Sequence, residues 1–230
     1  MNGTPQDPRR FNGFFSNLIR RGMEFRDSGA LPASGHFRIT SSSNFPTAAG
    51  LASSASGFAA LAGAAAGELG IPRSPELLSD IARAGSGSAS RSVFPGFVGF
   101  PRGGESSSCI YGQDHWPEMR CIIVRVSDGA KDISSRKAME ESRKTSPYYS
   151  AWLEDSQTLY EQAVSAVERR DLSSLGPLIR QSYLRMFSTM FSAADPIIYW
   201  QPGSLQILQL SRELRSGAFR CTKPWMQVPR

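Results

Sequence analysis

Apolar residues recur first at Phe11, Phe14, Phe15, Leu18 and Ile19, the spacing that sets one face of a helix against a core, and Gly22 marks its end. From His36 to Thr40 the pattern switches to alternation, with Phe37 and Ile39 on one face. This predicts a short strand, broken by the polar run Ser41 to Asn44 ahead of Pro46. Between Ala48 and Gly67 every residue except Leu51, Phe58 and Leu61 is Ala, Gly or Ser. Alanine has the best helix propensity and lets backbones approach, so the stretch predicts a closely packed helix headed by a loop over Gly50 to Ser54. Another helix begins after Ser74, an N-cap followed by Pro75 at the first helical position, with Leu77, Leu78, Ile81 and Ala82 facing inward. Val93 to Phe100 reads as a strand and turn, and Cys121 to Val126 as the clearest strand, bounded by Asp128 and Gly129.

The remainder is helical. Ser146 and Pro147 open a helix that carries Tyr149, Trp152, Leu159, Ala163 and Val167 to the basic end Arg169-Arg170. Leu175, Leu178, Ile179, Tyr183, Met186, Phe187, Met190 and Phe191 form a second stripe, read as core, which Asp195-Pro196 stops. Ser204 caps a third helix, with Leu205, Leu208 and Leu214 ahead of Gly217.

Two glycine-serine turns carry the candidate chemistry. The loop from Gly50 to Ser54 opens a helix, where unpaired backbone N–H groups and the positive end of the helix dipole stabilise a phosphate. The run Ala84 to Ser92 (AGSGSASRS) again offers donors on a tight backbone, and Arg91 adds a planar fork suited to bidentate contact with phosphate oxygens. For Ser54 the plain alternative is a helix cap; for Arg91 it is a surface salt bridge.

Composition narrows the function classes. Twenty-six basic against 20 acidic side chains leave a net charge of +6, which suits small anions. The arginines lie singly or in pairs without aromatic interleaving, so nucleic-acid binding is not expected. Three cysteines without CxxC spacing argue against a zinc site or a disulfide framework. His36 and His115 lack partners at metal or triad spacing, and no G-x-S-x-G elbow occurs. No run approaches the roughly 18 apolar residues of a membrane span, and the opening MNGTPQDPRR lacks signal-peptide order. A soluble, cytoplasmic protein without membrane partners is expected.

The stretch Ser43 to Ala55 (SNFPTAAGLASSA) resembles the phosphate loop of the diphosphomevalonate decarboxylases, within the GHMP kinase superfamily. Gly85 to Ser92 (GSGSASRS) resembles the same family's second motif. Residues 116–147 continue the likeness through Val126-Ser127-Asp128, Ser134-Ser135-Arg136 and Thr145-Ser146-Pro147, and residues 193–202 (AADPIIYWQP) fit as well. The resemblance implies an α+β, GHMP kinase-type two-layer fold with a ribosomal protein S5 domain 2-like N-terminal half and a helical, ferredoxin-like C-terminal half. Residues 1–125 would be the first domain, residues 126–217 the second and residues 218–230 a divergent tail, with the ATP and substrate sites between the halves.

The implied reaction is ATP- and magnesium-dependent. The 3-hydroxyl of 5-diphosphomevalonate is phosphorylated, phosphate leaves, and carbon dioxide departs to give isopentenyl diphosphate. Carried over, Gly50, Leu51, Ala52, Ser53 and Ser54 would hold the ATP phosphates, Ser54 near those that bind magnesium, while Ser88 and Arg91 would hold the substrate's diphosphate or carboxylate. The family also places a lysine on an opening strand and an aspartate beside the 3-hydroxyl. Neither has a counterpart here, so no catalytic residue is assigned and a fragment incomplete at both ends is expected. Three alternatives stay open: a phosphomevalonate decarboxylase, a mevalonate 3-kinase, and a non-catalytic fragment that binds a nucleotide or a partner. A homodimer also remains open.

Overall fold

In the computed structural model, which describes residues 7–25, 37–44, 52–126 and 133–216, the chain divides into two units, Met1–His115 and Trp116–Arg230. The first is built on three helices. A short 3-10 turn, Pro8–Phe11, leads into α1, Asn12–Met23. Of the predicted stripe Phe14 and Leu18 are buried and Phe11 and Phe15 half-buried, whereas Ile19 is 47% exposed, so the buried face is narrower than the spacing suggests. The alanine-rich helix α2, Ser53–Glu68, buries Ala55, Phe58, Ala62 and Ala66. Its small side chains bring the Phe58 ring within 5.5 Å of Phe11 and 5.6 Å of Phe14, centroid to centroid. Full burial of a Phe or Leu side chain is worth about 1.5–3 kcal/mol, so this cluster is the main source of stability in the unit.

Helix α3, Pro75–Gly85, starts as expected: Ser74 Oγ accepts from the Leu77 N–H at 3.3 Å. Its last residue must be glycine for a steric reason, because a Cβ on Gly85 would overlap the Phe58 ring. Helix α1 is tied to α3 by polar groups as well. Arg21 Nε donates to the carboxylate of Asp80, and Asn17 Nδ2 donates to the Asp80 carbonyl at 2.9 Å. Glu24 first, and then Asp80, hold the Arg21 guanidinium above its ordinary pKa.

A seven-residue 3-10 segment, Gly87–Val93, follows α3 and packs on both α2 and α3. The strand expected within Val93 to Phe100 is β1, Phe97–Gly99. It pairs antiparallel with β2, Ser108–Tyr111, through Val98↔Cys109 and Gly99↔Ser108. Gly96 leads into β1 at φ +75°, and a Cβ there would collide with the Tyr111 carbonyl. This two-stranded sheet is the only sheet among the described residues. An α+β composition therefore holds, but the broad sheets of a two-layer fold are not seen there.

The second unit consists of α4, Ser135–Thr145; α5, Tyr149–Glu168; α6, Leu172–Phe191; and α7, Pro202–Ser216. Helices α5 and α6 pack together, burying Leu159, Ala166 and Leu175, and the Asp155–Arg185 ion pair joins them. A second cluster gathers Ala138, Phe187, Met190, Ile197 and Tyr199. Tyr199 donates to the Ile133 carbonyl at 2.9 Å, and burial raises its phenol pKa. No described helix is long and apolar enough to cross a membrane.

Several expectations are corrected. The alternating residues 37–40 and the apolar run 121–126 form no ladder, since no described strand pairs with either; Ile122 and Ile123 are 53% and 69% exposed. His36 lies outside the described residues. Ser146 does not open α5. Its N–H donates to the Ser142 carbonyl, closing α4, while its hydroxyl accepts from the Tyr148 N–H. Ser204 is not an N-cap either: α7 begins two residues earlier, and Ser204 Oγ reaches back to accept from the Gln201 N–H at 3.2 Å. That places Ser204 and Ser211 inward and leaves Leu205 49% exposed. Helix α4 itself escapes the apolar pattern because its buried positions are the small Ala138 and Ser142.

Candidate functional site

The first candidate anion-binding element is the head of α2. Gly50 and Leu51 lie outside the described residues. Ala52 occupies the N-cap position in the left-handed region, at φ 52° and ψ 37°, with no side-chain cap. That conformation costs a residue bearing a Cβ about 1–2 kcal/mol, which marks the head of the helix as a strained position. The Ala52 carbonyl accepts from the Ala55 and Ser56 N–H groups. Ser53 and Ser54 are the first two helical residues, so their N–H groups lie where a helix has no internal partner. The Ser54 hydroxyl is exposed, and no described residue bonds to it. Ser54 therefore sits inside the helix rather than capping it.

The second element is the Gly87–Val93 turn. A 3-10 helix has three residues per turn, so side chains at i and i+3 eclipse, and Ser88 and Arg91 share one face. The Ser88 and Ser86 hydroxyls lie 3.3 Å apart. Arg91 is exposed at the surface, and no described carboxylate or carbonyl pairs with its guanidinium. Surrounding protein nonetheless displaces part of its hydration, which lowers its pKa from the ordinary arginine value. A partly dehydrated cation without a counterion gains from an anion supplied from outside. The salt-bridge alternative finds no support among the described residues. Arg20, by contrast, donates to Asn17 Oδ1 at 2.6 Å and lies 3.7 Å from Asp80.

The fold brings the two elements into one neighbourhood. Gly85, just ahead of the turn, packs on Phe58, which lies one helical turn, about 6 Å along the axis, from Ser54. Two clefts among the described residues of this unit lie elsewhere. One of about 690 Å³ touches the turn only at Gly87, and one of about 400 Å³ is lined by Glu24, Glu76, Asp80 and Glu105 against the single cation Arg21, a net negative lining that disfavours phosphate. Among the described residues no group of three or more His, Cys, Asp and Glu converges on a metal-sized site.

Sequence reasoning missed the scaffold of the turn. Ser79, Ser90 and Ser107 are completely buried. They form a chain: the Ser107 N–H donates to Ser79 Oγ at 2.9 Å, Ser107 Oγ donates to Ser90 Oγ at 2.8 Å, and Ser90 Oγ donates to the Gly87 carbonyl at 2.8 Å. Only Ser79 left a trace in the pattern, as a hydroxyl inside the apolar stripe of α3.

Residues 1–111 match the model of the diphosphomevalonate decarboxylase-like N-terminal domain, and residues 121–220 that of the mevalonate 5-diphosphate decarboxylase C-terminal domain. The chain is 36% identical over 204 residues to a diphosphomevalonate decarboxylase of Eremothecium gossypii, covering 84% of this chain and 50% of that protein. A decarboxylase structure solved with MVAPP, AMPPCP and magnesium superposes with a TM-score of 0.78 at 36% identity, covering 94% of this chain and 65% of the other. The mevalonate diphosphate decarboxylase of Trypanosoma brucei superposes with a TM-score of 0.79 at 28% identity, covering 94% and 57%. The chain spans about half the length of the curated relatives it matches.

Proposed function

The chain belongs to the diphosphomevalonate decarboxylase family, and from that premise we propose that it holds ATP and 5-diphosphomevalonate for the ATP-dependent decarboxylation that yields isopentenyl diphosphate. The observation that carries the proposal is the Arg91 guanidinium, partly dehydrated and without a carboxylate among the described residues, on the same face of its turn as Ser88. In this reading Ser88 and Arg91 take the diphosphate or carboxylate of the substrate. Gly50 to Ser54 take the phosphates of ATP, the first-turn backbone of α2 and its dipole opposing their charge.

Phosphoryl transfer needs placement and charge stabilisation more than covalent help from the protein, and two anion-binding turns in one unit supply the first. Magnesium takes hard oxygen ligands and usually binds through nucleotide phosphates, so the Ser54 hydroxyl, exposed and without a partner among the described residues, fits it as a donor. When bound, the ion neutralises phosphate charge.

Ser54→Ala tests the nucleotide half of the proposal. Removing a hydroxyl that faces charged phosphates should weaken magnesium-ATP binding about tenfold in a calorimetric titration, while stability stays within about 0.5 kcal/mol. A loss of about 1 kcal/mol in stability with unchanged ATP affinity is the signature of a helix cap and would reject the role.

A further inference from the structure

We infer that Ser107, acting through Ser90, is a positioning residue that sets the bearing of Arg91. The inference rests on Arg91 as an anion-binding group and goes beyond it, because Ser107 itself touches no ligand. A 3-10 run seldom exceeds three or four residues, since its hydrogen bonds are poorly aligned; the Gly87–Val93 segment has seven. Such a turn needs holding from outside, and the buried serine chain provides it. Ser90 Oγ closes the turn on itself through the Gly87 carbonyl and accepts the Ser107 hydroxyl proton, while the Ser107 backbone is moored to α3 by Ser79 Oγ.

All three side chains are completely buried, so each bond is made away from water and no solvent molecule replaces a lost partner. Successive residues of a 3-10 helix point about 120° apart, so a Ser90 locked inward fixes where the next residue, Arg91, points. Ser88 eclipses Arg91 and is fixed with it.

A double-mutant cycle on the 230-residue chain tests this, with 5-diphosphomevalonate as the titrant. Ser107→Ala should weaken binding about tenfold in the otherwise native chain and less than about twofold when Arg91→Ala is already present, because the hydroxyl acts through that guanidinium. Ser107→Thr, which keeps the hydroxyl, should restore affinity to within about threefold. Equal losses in both backgrounds, or no loss at all, would overturn the inference. Should Ser107→Ala fail to fold, Ser90→Ala takes its place in the cycle, since it cuts the chain at the turn and spares the Ser107–Ser79 bond.

Amide hydrogen exchange at Phe94, whose N–H donates to the Arg91 carbonyl, reads the turn without any ligand. It should quicken about tenfold in Ser107→Ala. If Arg91→Ala leaves binding untouched, the site assignment fails by itself, and unchanged exchange at Phe94 then overturns the positioning role separately.

Discussion

Mixed with 5-diphosphomevalonate, ATP and magnesium, the 230-residue polypeptide should release carbon dioxide no faster than about 0.01 s⁻¹, against the 1 s⁻¹ or more usual for enzymes. The two candidate anion-binding elements would supply placement. The family resemblance puts a lysine and an aspartate at the reacting hydroxyl, however, and neither has a counterpart at a matching position in these residues. Loss of a positioned acid-base group typically costs about 10²- to 10⁴-fold, and orientation of bound phosphates does not replace it. Binding and turnover are therefore expected to part company: the ligands associate and the product does not form. Carbon dioxide release near 1 s⁻¹ would contradict this and would send attention to Asp195, the first carboxylate to replace by asparagine.

Arg91→Ala should weaken binding of 5-diphosphomevalonate about 30- to 150-fold, the equivalent of about 2 to 3 kcal/mol for a charge-assisted, two-pronged contact. Arg20→Ala serves as the control. Both side chains are arginines of the same unit at the surface, but Arg20 already has Asn17, Asp80 and Glu24 within reach on its own and a neighbouring helix. An exposed pair of that kind contributes at most about 1 kcal/mol to stability and offers no unfilled charge to a ligand, so affinity should change less than twofold. Arg91→Lys separates geometry from charge. A point charge without the planar fork should recover only part of the loss. Comparable effects of Arg91→Ala and Arg20→Ala on the dissociation constant would remove the basis for the substrate assignment.

The helices were legible wherever burial is carried by large side chains. Phe14 and Leu18 in α1, Leu159 in α5 and Leu175, Phe187 and Met190 in α6 announce a 3.6-residue period, and the structure buries them. Alanine content and Phe58 were enough for α2. Legibility fails where small or polar groups do the packing. Helix α4 turns Ala138 and Ser142 inward, and α7 turns Ser204 and Ser211 inward while leaving Leu205 outside, so hydropathy points away from the buried face. Alternation at residues 37–40 and the β-branched run at 121–126 record a fit to a pleated surface, not the presence of a partner strand, and none pairs with them among the described residues.

The candidate site shows the same division. Ser88 and Arg91 are visible as a glycine-serine turn ending in an arginine, and their shared face follows from the 3-10 backbone. The hydroxyl of Ser107, which comes from beyond the hairpin's first strand to hold that turn, is one serine among three in a row and carries no periodic signal. Only the folded chain reveals that it is buried. That no described carboxylate pairs with Arg91 is likewise invisible in sequence, because pairing with a distant carboxylate cannot be read from spacing.

The most direct test of the substrate site is a nuclear magnetic resonance titration of the isotopically labelled 230-residue chain with 5-diphosphomevalonate, following the backbone amides. Saturable shifts centred on Gly87 to Val93 are expected. No saturable shift, or shifts confined to residues 133–216, would contradict it.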